Sequence, residues 1–173
     1  SIYQHLGVIL LHFSLPVYKK KSTDHPVSDD YLPQWRELLS EKLYLDVEDW
    51  LLAIKAENQQ IVHYVYESDA LQQKLQLKAS RGGRRVVVVW LPERMMVQAA
   101  NKLLKLIEEP PAETYFLLVS EDPEKVLGTI QSRTQRLNIP PLSKEEIAQA
   151  LAEEYNLTME KAMVMAHVAQ GSY

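Results

Sequence analysis

Apolar positions fall into runs and stripes of different period along this chain, and the clearest stretch lies between Arg85 and Arg136. Val86 to Trp90 is continuously apolar and β-branched, the pattern of a strand buried on both faces of a parallel sheet. Ala99 to Glu109 follows, with Val97, Ala100, Leu104 and Ile107 at helical spacing, which predicts a helix turning that stripe towards a sheet. Pro110 and Pro111 stop it, because neither ring donates a backbone hydrogen bond and each disfavours helix in the residue before it. Tyr115 to Ser120 reads as a second buried strand. Asp122 is placed to cap a further helix with Pro123 in its first position, and that helix is expected to end close to Arg133.

Upstream, Gly7 to Val17 predicts a core strand in which His12 is a satisfied core or edge histidine, and Lys19 to Ser28 predicts a loop. Asp29 to Lys42 places Tyr31, Trp35, Leu38 and Leu39 at helical spacing, and Asp46 can cap a second helix running through Trp50 to Ile54. Together these form a helical insertion at about 19–57, anchored to the core by Trp35 and Trp50. Ile61 to Tyr66 reads as short and extended, and Ser68 to Lys78 as an amphipathic helix with Leu71, Leu75 and Leu77 inward. Beyond Pro140 and Pro141, Ser143 with Glu146 forms a capping box for a helix that turns Ile147, Ala150, Leu151 and Tyr155 inward. Thr158 can cap a last helix, Met159 to Ala169, with Met163, Ala166 and Val168 for packing and Gly171 to end it.

A chain of 173 residues holds one packed core and a small appendage, and its 46% hydrophobic and 24% charged content is ordinary for a globular protein. Cysteine is absent, which excludes disulfides and thiolate metal sites; no metal is assigned. No stretch approaches the ~20 apolar residues of a membrane span, so no membrane partner is expected and the expected location is cytoplasmic. The net charge of −4 excludes a protein that binds DNA by bulk charge alone. Two basic clusters stand out: Lys19, Lys20 and Lys21, and Arg81, Arg84 and Arg85 around Gly82 and Gly83. Both read first as solvated loops, with the arginines as candidate DNA contacts in an assembly.

The block AANKLLKLIEEPPAETYFLLVSEDPEKVLGTIQSRTQR resembles the corresponding block of bacterial clamp-loader subunits and of the small subunits of replication factor C. These are AAA+ proteins that open a ring-shaped sliding clamp and place it on primed DNA. Helix, double proline, buried strand, Asp-Pro turn and Ser132-Arg133-Thr134 triplet occur in the family's order, and the likeness extends over roughly residues 61–172. It implies an α/β fold with a partial AAA+ (P-loop NTPase-like) parallel sheet flanked by helices over 1–139, followed at 140–173 by the first helices of a small all-α lid domain. A C-terminal collar, which in the family holds a five-subunit ring together, is expected to be absent, so a fragment of this extent should assemble weakly.

Departures from the pattern indicate which type of subunit this is. The glycine-rich phosphate loop G-x-x-x-x-G-K-[ST] does not occur in the sequence, which starts on Ser1 and is expected to continue upstream. Counted back from Asn101, the positions of the family's acidic pair are Trp90 and Leu91, and neither offers the oxygen that a hard cation needs. Glu93, two residues past the slot, reads as a surface carboxylate, and Ser120 falls at the sensor position that ends the strand. Loss of the acidic pair with retention of the triplet is similar to the delta-prime type of polymerase III clamp-loader subunit.

In that type, Arg133, supported by Ser132 and Thr134, would act in trans as an arginine finger on ATP held by a neighbouring motor subunit. A guanidinium suits this because it stays charged and offers a fixed fork of donors. An isolated arginine would instead pair with a carboxylate on its own surface. The resemblance thus implies an accessory subunit of the polymerase holoenzyme that is no enzyme by itself and carries no cofactor. Its implied partners are the ATPase motor and delta subunits, the sliding clamp and primer-template DNA. The alternatives are a gamma/tau-like motor subunit with its phosphate loop upstream and, more remotely, a small-molecule α/β enzyme, for which Trp90, Leu91 and Ser120 are poor catalytic groups at strand ends.

Overall fold

The computed structural model describes residues 8–42, 45–77 and 83–169. They fall into two compact units, Ser1–Gln135 and Arg136–Tyr173.

Three parallel strands in the order β1-β2-β3 form the sheet of the first unit: β1 Val8–Ser14, β2 Arg84–Trp90 and β3 Thr114–Val119. The register aligns Leu11 with Val86 and Phe13 with Val88 on one side of β2, and Val86 with Tyr115, Val88 with Leu117 and Trp90 with Val119 on the other. Because side chains alternate along a strand, Leu10, Val87, Val89, Phe116 and Leu118 share one face. That face is covered by helix α3 (Val65–Leu77) through Leu71 and Leu75 and by helix α4 (Val97–Glu108) through Leu103, Leu106 and Ile107.

The opposite face is covered unevenly. At Phe13 and Trp90 it meets helices α1 (Leu32–Glu41) and α2 (Val47–Ala53), whose Trp35 and Trp50 pack with Trp90 at centroid separations of 5.2–6.4 Å. Trp50 is fully buried and its indole N–H donates to the Pro16 carbonyl at 2.8 Å, which ties the helical pair to the end of β1. Over β3 the face is open: Tyr115, Leu117 and Val119 are 49%, 54% and 49% exposed. β3 is therefore a half-buried edge strand and not the strand buried on both faces that its apolar run predicts.

Other elements differ from the sequence pattern for identifiable reasons. Gly7 lies outside the described residues, and the core strand ends at Ser14 and not at Val17; Val17 makes an isolated antiparallel bridge to Val62, and His63 bridges to Met95, so Ile61–Tyr66 contributes two bridges and then enters α3 at Val65. Lys78 and the side chain of Leu77 lie outside the described residues, as do Arg81 and Gly171. In α4 the fully buried leucine is Leu103; Leu104 is partly buried and turns towards Val126 and Ile130, while Val97 is exposed. Asp122 does not cap through its side chain, which instead pairs with Lys125 at 2.7 Å. The expected helix is broken into a 3-10 turn at Pro123–Lys125 and a short helix α5, Gly128–Gln131.

One buried polar network stitches β1 to the start of α3. Glu67 accepts from the Ser28 backbone N–H at 2.7 Å and from His12 Nε2 at 3.0 Å; Lys74, which has only donors, donates to His12 Nδ1 at 3.2 Å. Burial alone would raise the Glu67 pKa, but the hydrogen bonds from His12 and Ser28 outweigh it and hold the carboxyl below its ordinary value.

The second unit is a helical pair, α6 Lys144–Tyr155 and α7 Met159–Ala169. Ser143 and Glu146 form the capping box, and α6 ends on Asn156 in the left-handed conformation, its N–H donating to Ala152. Ile147, Ala148, Ala162 and Ala166 make the buried seam. Tyr155 and Val168, expected inward, lie off that seam and are exposed.

Candidate functional site: the strand ends and the Ser132-Arg133-Thr134 turn

Trp90 closes β2 and Leu91 turns the chain out of the sheet. Leu91 adopts φ 57° and ψ 58°, a left-handed conformation that costs a leucine about 1–2 kcal/mol. Two contacts offset the cost: its N–H continues the ladder by donating to Val119 O at 2.8 Å, and its side chain is buried in the cluster of Trp35, Trp50 and Trp90. The two positions that the clamp-loader pattern reserves for carboxylates are thus held by side chains of an apolar core. Behind them, His63 donates from Nε2 to Trp90 O at 2.8 Å and accepts at Nδ1 from Ser14 Oγ at 3.2 Å. Burial pushes the His63 pKa below its ordinary value. Nothing in the local pattern of Ile61–Tyr66 signals this role, because it depends on a strand end 27 residues away.

Glu93 is not the free surface carboxylate that its position suggests. It is half-buried, accepts from Ser120 Oγ at 2.8 Å and from the backbone N–H groups of Glu121 at 3.0 Å and Asp122 at 3.3 Å, and so pins the loop after β3 to the turn after β2. Ser120, at the sensor position, spends its proton on that carboxylate. Partial burial and then the nearby Glu93 charge raise the Glu121 pKa. Among the described residues no group of three His, Cys, Asp or Glu is arranged to hold a metal ion.

Ser132, Arg133 and Thr134 form the turn that leaves α5. Ile130 is fully buried against Ala100 and Val126 and anchors this short helix to α4. Thr134 Oγ1 donates back to Ile130 O at 3.1 Å and Ser132 Oγ to Thr129 O at 3.2 Å, which closes the turn. Arg133 is held at three points: Nε donates to Glu108, the last residue of α4, and Nη1 donates to Thr129 O at 3.0 Å and to Ser132 Oγ at 3.3 Å. The Arg133 and Glu108 side chains are 39% and 45% exposed. Among the described residues, no hydrogen bond or ion pair joins the triplet to Trp90, Leu91 or Ser120, so the candidate residues form two separate places. Glu108 is the residue that sequence reasoning missed, since a pair separated by 25 positions leaves no local signal.

The basic segment before β2 also divides. Arg84 is exposed at the strand start, 3.9 Å from Glu113. Arg85 is only 2% exposed and donates from Nη1 to Ala112 O at 2.5 Å. Its place in the sheet gives it a structural partner. No described helix is long and apolar enough to cross a membrane.

The family model described as "DNA polymerase III, delta subunit" matches residues 42–143, more than half of the chain. The DNA polymerase III subunit delta' of Escherichia coli (strain K12) is 34% identical over 100 residues, a match covering 58% of this chain and 30% of that protein. That of Pseudomonas aeruginosa is 40% identical over 91 residues, covering 50% and 28%. The gamma/tau subunit of Mycobacterium bovis is 32% identical over 82 residues, covering 46% of this chain and 14% of that protein. A solved structure of a DNA polymerase III gamma subunit-related protein from Thermotoga maritima aligns with a TM-score of 0.44 at 26% identity, covering 61% of this chain and 38% of that one. With a family match over more than half its residues, and with matches that span less than a third of the delta' relatives' own length, this chain belongs to the DNA polymerase III, delta subunit family.

Proposed function

We propose that this chain is part of a non-hydrolysing, delta-prime-like clamp-loader subunit that helps place the sliding clamp on primer-template DNA. Its partners are the ATPase motor and delta subunits, and Arg133 supplies a guanidinium in trans to ATP bound by a neighbouring motor subunit. The observation that carries the reading is the strand end at Trp90 and Leu91, where a fully packed apolar pair stands in the place of the acidic pair. Mg²⁺ is held through oxygen ligands and the attacking water is oriented by a carboxylate. Indole and isobutyl groups do neither. The exposed Arg133 on a turn at the end of the first unit supports the second half of the reading, because charge developing on a transferred phosphoryl group is stabilised by donors fixed in advance.

A motor-subunit reading draws support from the gamma/tau relative, yet it requires hydrolysis at a strand end that lacks the acid. Calorimetric titration of the full-length subunit with ATP and Mg²⁺, together with steady-state turnover, separates the two; intrinsic turnover that is abolished by changing Trp90 or Leu91 sinks the proposal. For Arg133, the test is Arg133→Ala in the reconstituted loader. Assembly should be retained while clamp- and DNA-stimulated ATP turnover falls by about 10-fold or more, with Arg133→Lys rescuing only in part. Full turnover with alanine would refute the trans role.

A further inference from the structure

We infer that Glu108 is the positioning residue for Arg133, and that it splints the guanidinium so that one nitrogen is presented to a phosphate oxygen of the neighbouring subunit; this rests on the trans role proposed for Arg133. The three acceptors on Arg133 take Nε and Nη1. Among the described residues Nη2 has no partner, so both of its N–H groups stay available for an anion. An arginine side chain has several rotatable bonds and an unheld one samples many rotamers. Here one carboxylate and one backbone carbonyl, from two different elements, fix the plane of the fork before any ligand arrives.

The place of Glu108 makes a role in helix stability a poor explanation of its identity. It is the last residue of α4, where the unsatisfied carbonyls give the helix end a partial negative charge and a carboxylate is the least suited residue. Arg133 offsets that charge. The pair also joins α4, which packs on the sheet, to the turn after α5, so a sheet-borne element sets the direction of the arginine. Transfer of the guanidinium to a phosphate need not break the splint, since Nη2 is the donor offered.

The experiment uses the full-length subunit in the reconstituted loader and compares Glu108→Ala, Glu108→Gln, Arg133→Ala and Glu108→Ala with Arg133→Ala. Glu108→Ala should lower kcat for ATP about two- to five-fold, the scale of one exposed ion pair, with KM little changed. Glu108→Gln, which keeps a side-chain oxygen for Nε–H, should recover most of the loss. In the Arg133→Ala background, Glu108→Ala should have no further effect. If Arg133→Ala impairs turnover but Glu108→Ala matches wild type, or if the two losses multiply, the positioning role is overturned and the trans role stands. If Arg133→Ala itself has full turnover, the trans role falls and takes the inference with it. A loss confined to thermal stability, with kcat unchanged, assigns Glu108 to packing and overturns the inference.

Discussion

Replacing Leu103 and Leu104 one at a time by alanine tests how α4 is docked. Leu103 lies in the cluster formed by Leu10, Leu71, Leu75, Val87 and Val89, and Leu104 is partly buried against Val126 and Ile130. Leu→Ala deletes three carbons, worth roughly 2.4 kcal/mol at about 0.8 kcal/mol each when the site is fully buried. Between a sheet and two helices the walls collapse only partly, so a cavity term adds to this and the cost of Leu103→Ala should reach about 3–4 kcal/mol. At Leu104 about half of the transfer term applies and water reaches the vacated space, which gives roughly 1 kcal/mol. Equilibrium urea denaturation followed by far-ultraviolet circular dichroism measures the difference. With a slope of about 2 kcal/mol per molar urea, the midpoints should differ by about 1 M, Leu103→Ala being the lower. Equal midpoints, or a lower one for Leu104→Ala, would show that α4 presents the other face to the sheet.

Acid should destabilise the chain in two stages. His63 has a folded pKa below its ordinary 6.5, so the unfolded chain takes up a proton there first, and stability falls as pH drops through about 6.5; His63→Gln should flatten this slope in denaturation series between pH 7 and 5. Glu67, held below its ordinary value, contributes stability that is fully present above the unfolded pKa of about 4.3 and is lost as pH falls through the folded one, a stage that Glu67→Gln should remove. Trp50→Phe should cost about 1.5–3 kcal/mol, read as a shift in denaturation midpoint, because it deletes buried ring surface and leaves the Pro16 carbonyl without its donor.

The sequence pattern carried the elements whose signal is local. The Val86–Trp90 run, the cap at Asp46, the capping box at Ser143 and the stop at Pro110 all stand where the residues place them. Its failures are equally physical. The run YFLLV, Tyr115 to Val119, is apolar at every position, so it cannot tell a strand covered on both faces from an edge strand covered on one. KLLKLI offers two adjacent leucines, and a rotation of one residue decides which enters the core. The ion pairs and hydrogen bonds that give Arg133, Ser120 and Trp90 their surroundings come from Glu108, Glu93 and His63, each 25 or more residues away and invisible to periodicity. The triplet itself was legible only through its resemblance to a known block, since three polar residues in a turn carry no signal of their own.

The tryptophan arrangement has an optical consequence. The chain contains three tryptophans, and all three lie within one aromatic cluster of the first unit. At these separations the indoles exchange excitation, so their emission responds as one chromophore to the joint between the sheet end and α1 and α2. The helical pair from Arg136 onward holds no tryptophan, and its described aromatic is the exposed Tyr155. Indole fluorescence will therefore follow melting of the first unit and pass silently over loss of the second, whereas amide absorption registers both. Superimposable curves from the two signals would mean that the units melt together; a dichroism change that precedes the emission change would resolve the helical pair as a separately melting element, with no label added to the protein.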